Sequence, residues 1–586
     1  MIDVIKRFGL PFRRELVLGP LSKLVEVGFD LCTPLVVALM IDRGVGTRDV
    51  RALAWYGALL AAMALAGFAS TLICQKMASR ASQGIGTALR DALFTHVNEL
   101  SGAEIDRFGT PSLITRITND VNQVQLAIAL AIRQMTRLPL LAVGSMVAAL
   151  LIDARLGVVF LVATPLIGLV FWLVMARCIP HFKRMQLKLD RIALITREGL
   201  SGARAVRAFV REGHERERFG RAAADQADVA IAVGRLTSLL NPATFLIMNL
   251  AVCAILWVGG AQVNVGALTQ GQVMAFVNYM TQTLLAIVYV ANLVVVFTRA
   301  QASAERIFEV LDCEPSVRGP AVAVECRPSA PVSHAIRLTD VGFAYPGASL
   351  RAVEGVTLQV PAGGTLGVIG GTGSGKSTLA QLLVRLYDAT EGSIEVLGED
   401  VRSLPLGELR AMIGYVPQKA ELVSGTIRSN LLWRDASASD AELWCALETA
   451  QAAEFVRRLP RGLDAEVEAG GGNFSGGQRQ RLTIARALVG DPRVLVLDDA
   501  SSALDLKTDA ELRAALRTCH AGAALGGCTV VVSQRVASVR DADVICVMRR
   551  GRAVGVGTHG QLLADCPVYR EIVDSQQADE GVVAHG

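Results

Sequence analysis

The chain has 586 residues, of which 52% are apolar and 19% charged, and its mean hydropathy of +0.42 is above what a water-soluble enzyme of this size tolerates. Fifty-eight basic against 54 acidic residues leave +4, too little and too dispersed for a surface that neutralises nucleic-acid phosphates, so nucleic acid is not expected as a partner. Disorder, collagen and coiled coil are excluded, and much of the chain belongs in lipid.

Eleven cysteines, an odd number scattered from Cys32 to Cys566 without a CxxC pair, read as reduced apolar residues and not as a disulfide framework. The stretch from Met1 to Pro11 lacks the order of a cleaved secretory signal. It reads as an amphipathic entry segment, with Lys6, Arg7, Arg13 and Arg14 on the cytosolic side. About six apolar stretches of spanning length follow, near 17–42, 52–78, 130–152, 156–178, 236–262 and 271–298, since about 20 apolar residues cross a hydrocarbon core of about 30 Å. The segments after the second and fourth are long and basic. One holds Lys76, Arg80, Arg90, Arg107 and Arg116, the other Arg177, Lys183, Arg184, Lys188 and Arg191, which places both in the cytosol. Short links at Asp153 to Arg155 and Gly259 to Gln272 fall on the other side, although Arg43, Arg48 and Arg51 in the first outer loop run against that rule. Both cytosolic connections, roughly 79–129 and 179–235, keep helical periodicity, so the spans are expected to continue as helices beyond the bilayer. Gly, Pro and Ser interrupt them at Phe108 to Thr115 and at Glu198 to Arg204, as a helical elbow or a plain loop does.

After Asp312 the composition changes, and Pro315, Gly319, Pro320, Pro328 and Pro331 mark a linker over 313–335. From 336 onward, β-rich runs at Thr365 to Gly370, Val494 to Leu497 and Thr529 to Ser533 alternate with helical ones, the pattern of an α/β domain with a largely parallel sheet.

Gly370, Gly371, Thr372, Gly373, Ser374, Gly375, Lys376 and Ser377 form a GxxxxGKS loop between an apolar strand and a helix that opens at Thr378. Backbone N–H groups in such a loop cradle phosphate, the lysine reaches the outer phosphates and the serine hydroxyl ligates magnesium. The apolar strand ending in Asp498 and Asp499 places a carboxylate where a magnesium-nucleotide enzyme needs one. Between them, Ser475, Gly476, Gly477 and Gln478 follow Asn473 and Phe474 and open a helix, which makes a second small anion-binding nest. A single phosphate-loop domain needs only one.

This segment, Phe474-Ser-Gly-Gly-Gln478, resembles the Leu-Ser-Gly-Gly-Gln signature of the ATP-binding cassette family. With six spans before one cassette, the chain resembles a half-transporter of the exporter type over nearly its whole length. The fold this implies is a six-helix transmembrane domain over 1–312, then an α/β P-loop nucleotide-binding domain over 336–586 that uses ATP and Mg2+. On the family's pattern Tyr345 stacks on adenine, the alternative being a core strand tyrosine. Ser377, Gln418 and Asp498 hold magnesium, Gln418 also touching the attacking water, and Asp505 lies in the loop that crosses to the opposite cassette. The two interruptions become coupling helices.

The chain departs from the family in three places. Asp499 stands where hydrolytic cassettes carry a glutamate, one methylene longer, and Gln534 replaces a histidine, so it cannot carry an imidazolium charge. Ala469 replaces a glutamate found in many exporters just before the signature. Since cassettes of this family pair head to tail, the resemblance implies a degenerate ATP site on this chain, an intact signature lent to the partner, and a heterodimer like those of bacterial multidrug exporters in the cytoplasmic (inner) membrane, with the N-terminus and cassette in the cytosol. The partner would be a second half-transporter with Glu and His at the altered positions. The rivals are a slow homodimeric exporter of lipid or peptide and a nucleotide-gated membrane protein that does not pump. For a small amphipathic substrate the clues are few. Lys23, Glu26 and Asp30 share one helical face, where Asp30 would bind a cation or, equally, Lys23 would pair with Glu26 while Asp30 hydrogen-bonds a neighbouring helix. Asn278, Gln282, Tyr289 and Asn292 recur near helical period in the sixth span, as path or as helix glue.

Overall fold

The computed structural model describes residues 1–320, 333–521 and 527–583. The expected linker, with Pro328 and Pro331, falls largely outside them. The chain forms two compact units, one made of Met1–His96 with Pro111–Asp312, the other of Val97–Thr110 with Cys313–Gly586.

In the first unit the six apolar stretches are six helices, Leu10–Val45, Val50–Glu99, Thr110–Ile152, Ala154–Ser201, Glu212–Asn264 and Gln270–Leu311. They run for 36 to 53 residues, well beyond what the bilayer needs, so the spans do continue as helices. Chain-local chemistry sets their starts. The Asp153 side chain accepts from the Leu156 N–H, and Thr269 with Gln272 forms a capping box at the head of the sixth. Pro20, Pro34, Pro165 and Pro180 sit inside helices, which neighbouring helices tolerate in a membrane. The interior packs Phe160, Phe276, Tyr279 and Met280, and the Tyr279 hydroxyl donates to the Leu31 carbonyl at 2.6 Å. At most 25% of each helix's most apolar stretch is buried within the chain, so lipid or another chain must cover the rest. The second interruption is a break at Gly202 followed by a short helix Ala203–Ala208, because the preceding helix runs through Glu198 to Ser201.

The second unit has a six-stranded sheet in the order β12-β11-β3-β10-β9-β6. Its strands are β3 (Thr365–Gly370), β6 (Ile413–Val416), β9 (Val494–Asp498), β10 (Cys528–Ser533), β11 (Val544–Arg549) and β12 (Arg552–Gly557), and only β12 pairs antiparallel. Every residue of β9 is buried, as expected where helices cover both faces of a parallel sheet. A four-stranded antiparallel sheet, β2-β1-β4-β5, stands beside it: β1 (His334–Phe343), β2 (Val353–Pro361), β4 (Glu391–Val396) and β5 (Glu399–Asp400). The sequence reading did not anticipate this sheet. β2 alternates buried and exposed residues, the mark of a sheet with one solvated face.

The first interruption, at Gly109, lies in this unit and is preceded by a short helix. A helix spans Gly102–Phe108, started by a capping box between Ser101 and Glu104, and Thr110 already begins the next helix. Tyr387 donates to Asp106 at 2.6 Å and the Val317 N–H donates to Ser101 Oγ at 2.9 Å, which fastens this helix within the unit. Burial, aided by the bond to Asp106, holds the Tyr387 phenol protonated well above the usual tyrosine range.

Candidate functional site

The turn from β3 into the helix Lys376–Leu383 builds the first part of the site. Gly373 and Gly375 take φ of +75° and +98°, and a Cβ on Gly375 would meet the Ala352 carbonyl at 2.3 Å, so only glycine fits there. Gly370 is likewise closed, by the Met548 carbonyl at 2.2 Å, whereas Gly371 and Gly373 face open space. Thr372 and Gly373 are exposed at the tip, and Thr378 is buried on the helix. Lys376 is 7% exposed and its Nζ donates to the Gly370 and Gly371 carbonyls, both at 2.8 Å, so its charge lies across the mouth of the loop. The Ser374 hydroxyl is buried without a partner, a polar atom left over in the same cradle.

Parallel register brings the carboxylates to this loop. β9 ends in Asp498, whose Oδ1 accepts from Ser377 Oγ at 2.9 Å. Burial pushes the Asp498 carboxyl up, with the Ser377 bond opposing, and burial pushes Lys376 down, with Asp499 and Asp498 opposing. Asp499 is half-buried at φ +48°, and its N–H bonds the Val532 carbonyl at 2.9 Å, which seats it beside the end of β10. Gln534 follows β10 and is exposed, while its carbonyl accepts from the Gln576 amide at 2.7 Å. Gln576 also accepts from the Val536 N–H at 2.8 Å and so clamps this loop from the helix Pro567–Val583, a partner that its distance in sequence hides. The pairing of Val416 with Leu497 puts Gln418, exposed just past β6, at the same edge as Asp498 and Asp499. Hydroxyl, carboxylate, amide and lysine in one cradle of open backbone N–H groups form a donor set that fits a magnesium-bound polyphosphate.

Tyr345 lies just beyond β1, half-buried, with its ring centroid 4.9 Å from Phe343 and 5.4 Å from Tyr387 in edge geometry. Its hydroxyl reaches Thr378 at 3.1 Å and Gln381 at 3.2 Å. These contacts hold the half-buried ring at the border of the loop. The second nest sits elsewhere. Ser475 caps the helix Gly476–Leu488, and the Gln478 side chain returns to the Ser475 N–H at 2.9 Å. Ser475 and Gly476 are exposed, Gly477 abuts the Ala503 carbonyl, and Phe474 packs on Phe455 at 6.4 Å. Asp505 caps the next helix through the Thr508 N–H at 2.8 Å, a bond that holds its carboxyl below the usual range. Among the described residues no hydrogen bond joins Ser475 to Gln478 with the loop from Gly370 to Thr378. Ala469 lies exposed in a short turn after Glu468.

In the membrane unit the stripe on the first helix is paired. Lys23 Nζ meets Glu26 at 2.6 and 2.7 Å, Thr71 donates to the same carboxylate at 2.6 Å, and Asp30 meets Arg137 at 3.1 Å. That leaves Asp30 without the free charge a cationic ligand needs. Gln282 donates to the Asp30 carbonyl at 3.3 Å and Asn278 to its own helix, Tyr289 is exposed, and the Asn292 side chain lies outside the described residues.

Two family models match the chain, the ABC transporter transmembrane region over residues 16–288 and the ABC transporter model over 353–502. The chain is 37% identical over 582 residues to an uncharacterized ABC transporter ATP-binding protein of Mycobacterium tuberculosis, covering 98% of each. It is 31% identical over 494 residues to an ATP-dependent lipid A-core flippase of Desulfotalea psychrophila, covering 83% of each. Among solved structures, a bacterial Atm1-family ABC exporter with ATP bound superposes with a TM-score of 0.77 at 25% identity, over 97% of this chain and 99% of that one.

Proposed function

This chain belongs to the ABC transporter family, as an integral membrane exporter half with a fused ATP-hydrolysing domain, and from that premise we propose that it works as the asymmetric half of a heterodimer. In this reading it exports hydrophobic or amphipathic small molecules across a bacterial cytoplasmic membrane, with its N-terminus and cassette in the cytosol. Lys376, the loop N–H groups and Thr378 hold the phosphates, Tyr345 borders the adenine, and Ser377, Asp498 and Gln418 hold magnesium. ATP supplies the free energy of hydrolysis that resets the transporter.

One observation carries the asymmetry. The carboxylate at the catalytic position belongs to Asp499, and the neighbouring loop offers Gln534, so the residue aimed at water is about 1.5 Å too short, a misplacement that costs about a hundredfold. Meanwhile Ser475 and Gly476 are exposed and preformed by their capping box, ready to complete a site on another chain. The second reading, export of a lipid, draws on the 31% identity to a protein named as a lipid A-core flippase. The test is steady-state ATPase of the chain alone in lipid nanodiscs, against the chain co-expressed with a candidate partner half. We expect the lone chain to bind ATP and turn over at a few per cent of the pair's rate or less. Brisk turnover by the lone chain would make Asp499 sufficient and the homodimer correct.

A further inference from the structure

Five charged side chains gather where the first, second and third membrane helices meet. Lys23 and Arg133 lie 22 and 19 residues from the far ends of their helices at Val45 and Ile152, or about 33 and 29 Å at 1.5 Å per residue. On the span assignment above, with a hydrocarbon core of about 30 Å, that is near its cytosolic boundary. Glu26, Asp30 and Arg137 lie deeper. Pairing removes four of the five charges, since Glu26 takes Lys23 and Asp30 takes Arg137. Arg133 is left over: among the described residues no carboxylate reaches it, and its Nε is buried without a hydrogen-bond partner. The turn that carries it packs on the first helix, with Ile132 against Gly19. The third helix is locally widened into a π turn over Ala131–Met135, a distortion common at functional positions, and Arg133 is at its centre. Arg137, with its own Nε also unpaired, and Asp30 are each about one-third exposed within this chain.

A half-buried guanidinium with no counter-ion, beside a second one with donors to spare, is an electrostatic vacancy of one sign. We infer that this cluster receives the head group of an anionic amphiphile, entering at the depth of the inner leaflet, with Arg133 as the principal contact and Arg137 deeper along the path. The inference rests on the amphiphile-export reading above and narrows its substrate class. It reverses the expectation of a cationic ligand at Asp30, whose charge Arg137 already answers.

Two fluorescent amphiphiles of equal length test it, 11-(dansylamino)undecanoate and its trimethylammonium counterpart. Both are titrated into the full chain in phosphatidylcholine nanodiscs, with empty discs subtracted, and binding of a fluorescent ATP analogue is followed in parallel. The carboxylate probe should bind saturably and about tenfold or more tightly than the cation, Arg133→Gln should remove most of that preference, and Arg133→Lys should keep it, all with unchanged nucleotide binding. Tighter binding of the cation, or a preference that survives Arg133→Gln, overturns the inference and leaves amphiphile export standing. Saturable binding of neither probe, with nucleotide binding intact, overturns both. Because the two-probe comparison on the unaltered chain is decisive by itself, a variant that fails to fold does not rescue the idea.

Discussion

One methylene separates Asp499 from the glutamate expected at its position. Its φ of +48° and its bond to the Val532 carbonyl fix the start of the side chain, so lengthening it is the direct remedy. Asp499→Glu together with Gln534→His should raise turnover at this chain's own site by about tenfold to a hundredfold, measured as ATPase of the purified chain; no change would count heavily against a degenerate site on this chain. Asp498 makes a separate prediction. Burial raises its pKa, so the folded chain holds that proton more tightly than the unfolded chain does, and stability falls as pH rises from the ordinary aspartate value near 4 through the raised one. Asp498→Asn abolishes this loss. At neutral pH without magnesium or nucleotide it should melt about 2 °C or more above the parent, the gap should close on acidification through that interval, and magnesium-dependent ATP binding should disappear. At this scale the sequence was highly legible, because a GxxxxGKS loop and a strand ending in two aspartates state their geometry locally. Gln576 was not legible: its two bonds to the loop at Gln534 cross about 40 residues, and nothing in the helix around it marks it.

The elements divide along the same line. All six apolar runs became helices, since hydropathy over 20 residues is itself the physical cause of a span. The first interruption falls at Gly109, inside the expected Phe108–Thr115, and is preceded by a short helix Gly102–Phe108; Pro111 stands in the first turn of the next helix, where its missing N–H costs nothing. Ser101 and Glu104, in the order Ser-x-x-Glu, were the signal that could have placed the short helix. The antiparallel sheet was hidden for another reason. β1 pairs with β2 and β4, but the phosphate loop and its helix lie between those partners in sequence, and alternation reports a strand's faces without naming its neighbour. The elbow's fastening can be tested at Tyr387, which donates to Asp106 and touches the backbone of Gly102. Removing a bond to a charged acceptor costs about 1.5–3 kcal/mol. Tyr387→Phe should therefore leave ATP binding intact while lowering the substrate moved per ATP hydrolysed by about threefold or more, read in sealed vesicles. An unchanged ratio would reduce the contact to local packing.

At the scale of the whole molecule, two features of this chain are unfinished within it. The apolar helices bury at most a quarter of their most hydrophobic stretches, and the nest at Ser475 is exposed, its hydrogen bonds among the described residues confined to its own capping box. Both features call for a second half, and the head-to-tail arrangement of the family says which site each residue would serve. Lys376 belongs to the site with Asp499 and Gln534, whose turnover is expected to be small already. In the proposed heterodimer, Ser475 and Gly477 would complete the site formed with the partner's own phosphate loop, where a longer carboxylate would do the work. In the assembled pair, Ser475→Ala should then lower steady-state ATPase by about a hundredfold, the scale of losing one oriented donor in an anion site, whereas Lys376→Ala should lower it by less. Alanine also removes the hydroxyl that caps the helix Gly476–Leu488, so Ser475→Thr, which keeps a capping oxygen, separates loss of the helix start from loss of the contact. If Lys376→Ala proves the more damaging of the two, this chain carries the working site and the assignment of the two halves is inverted. If the two variants fall equally, the sites are equivalent and the asymmetry argued from Asp499 and Gln534 has no consequence for turnover.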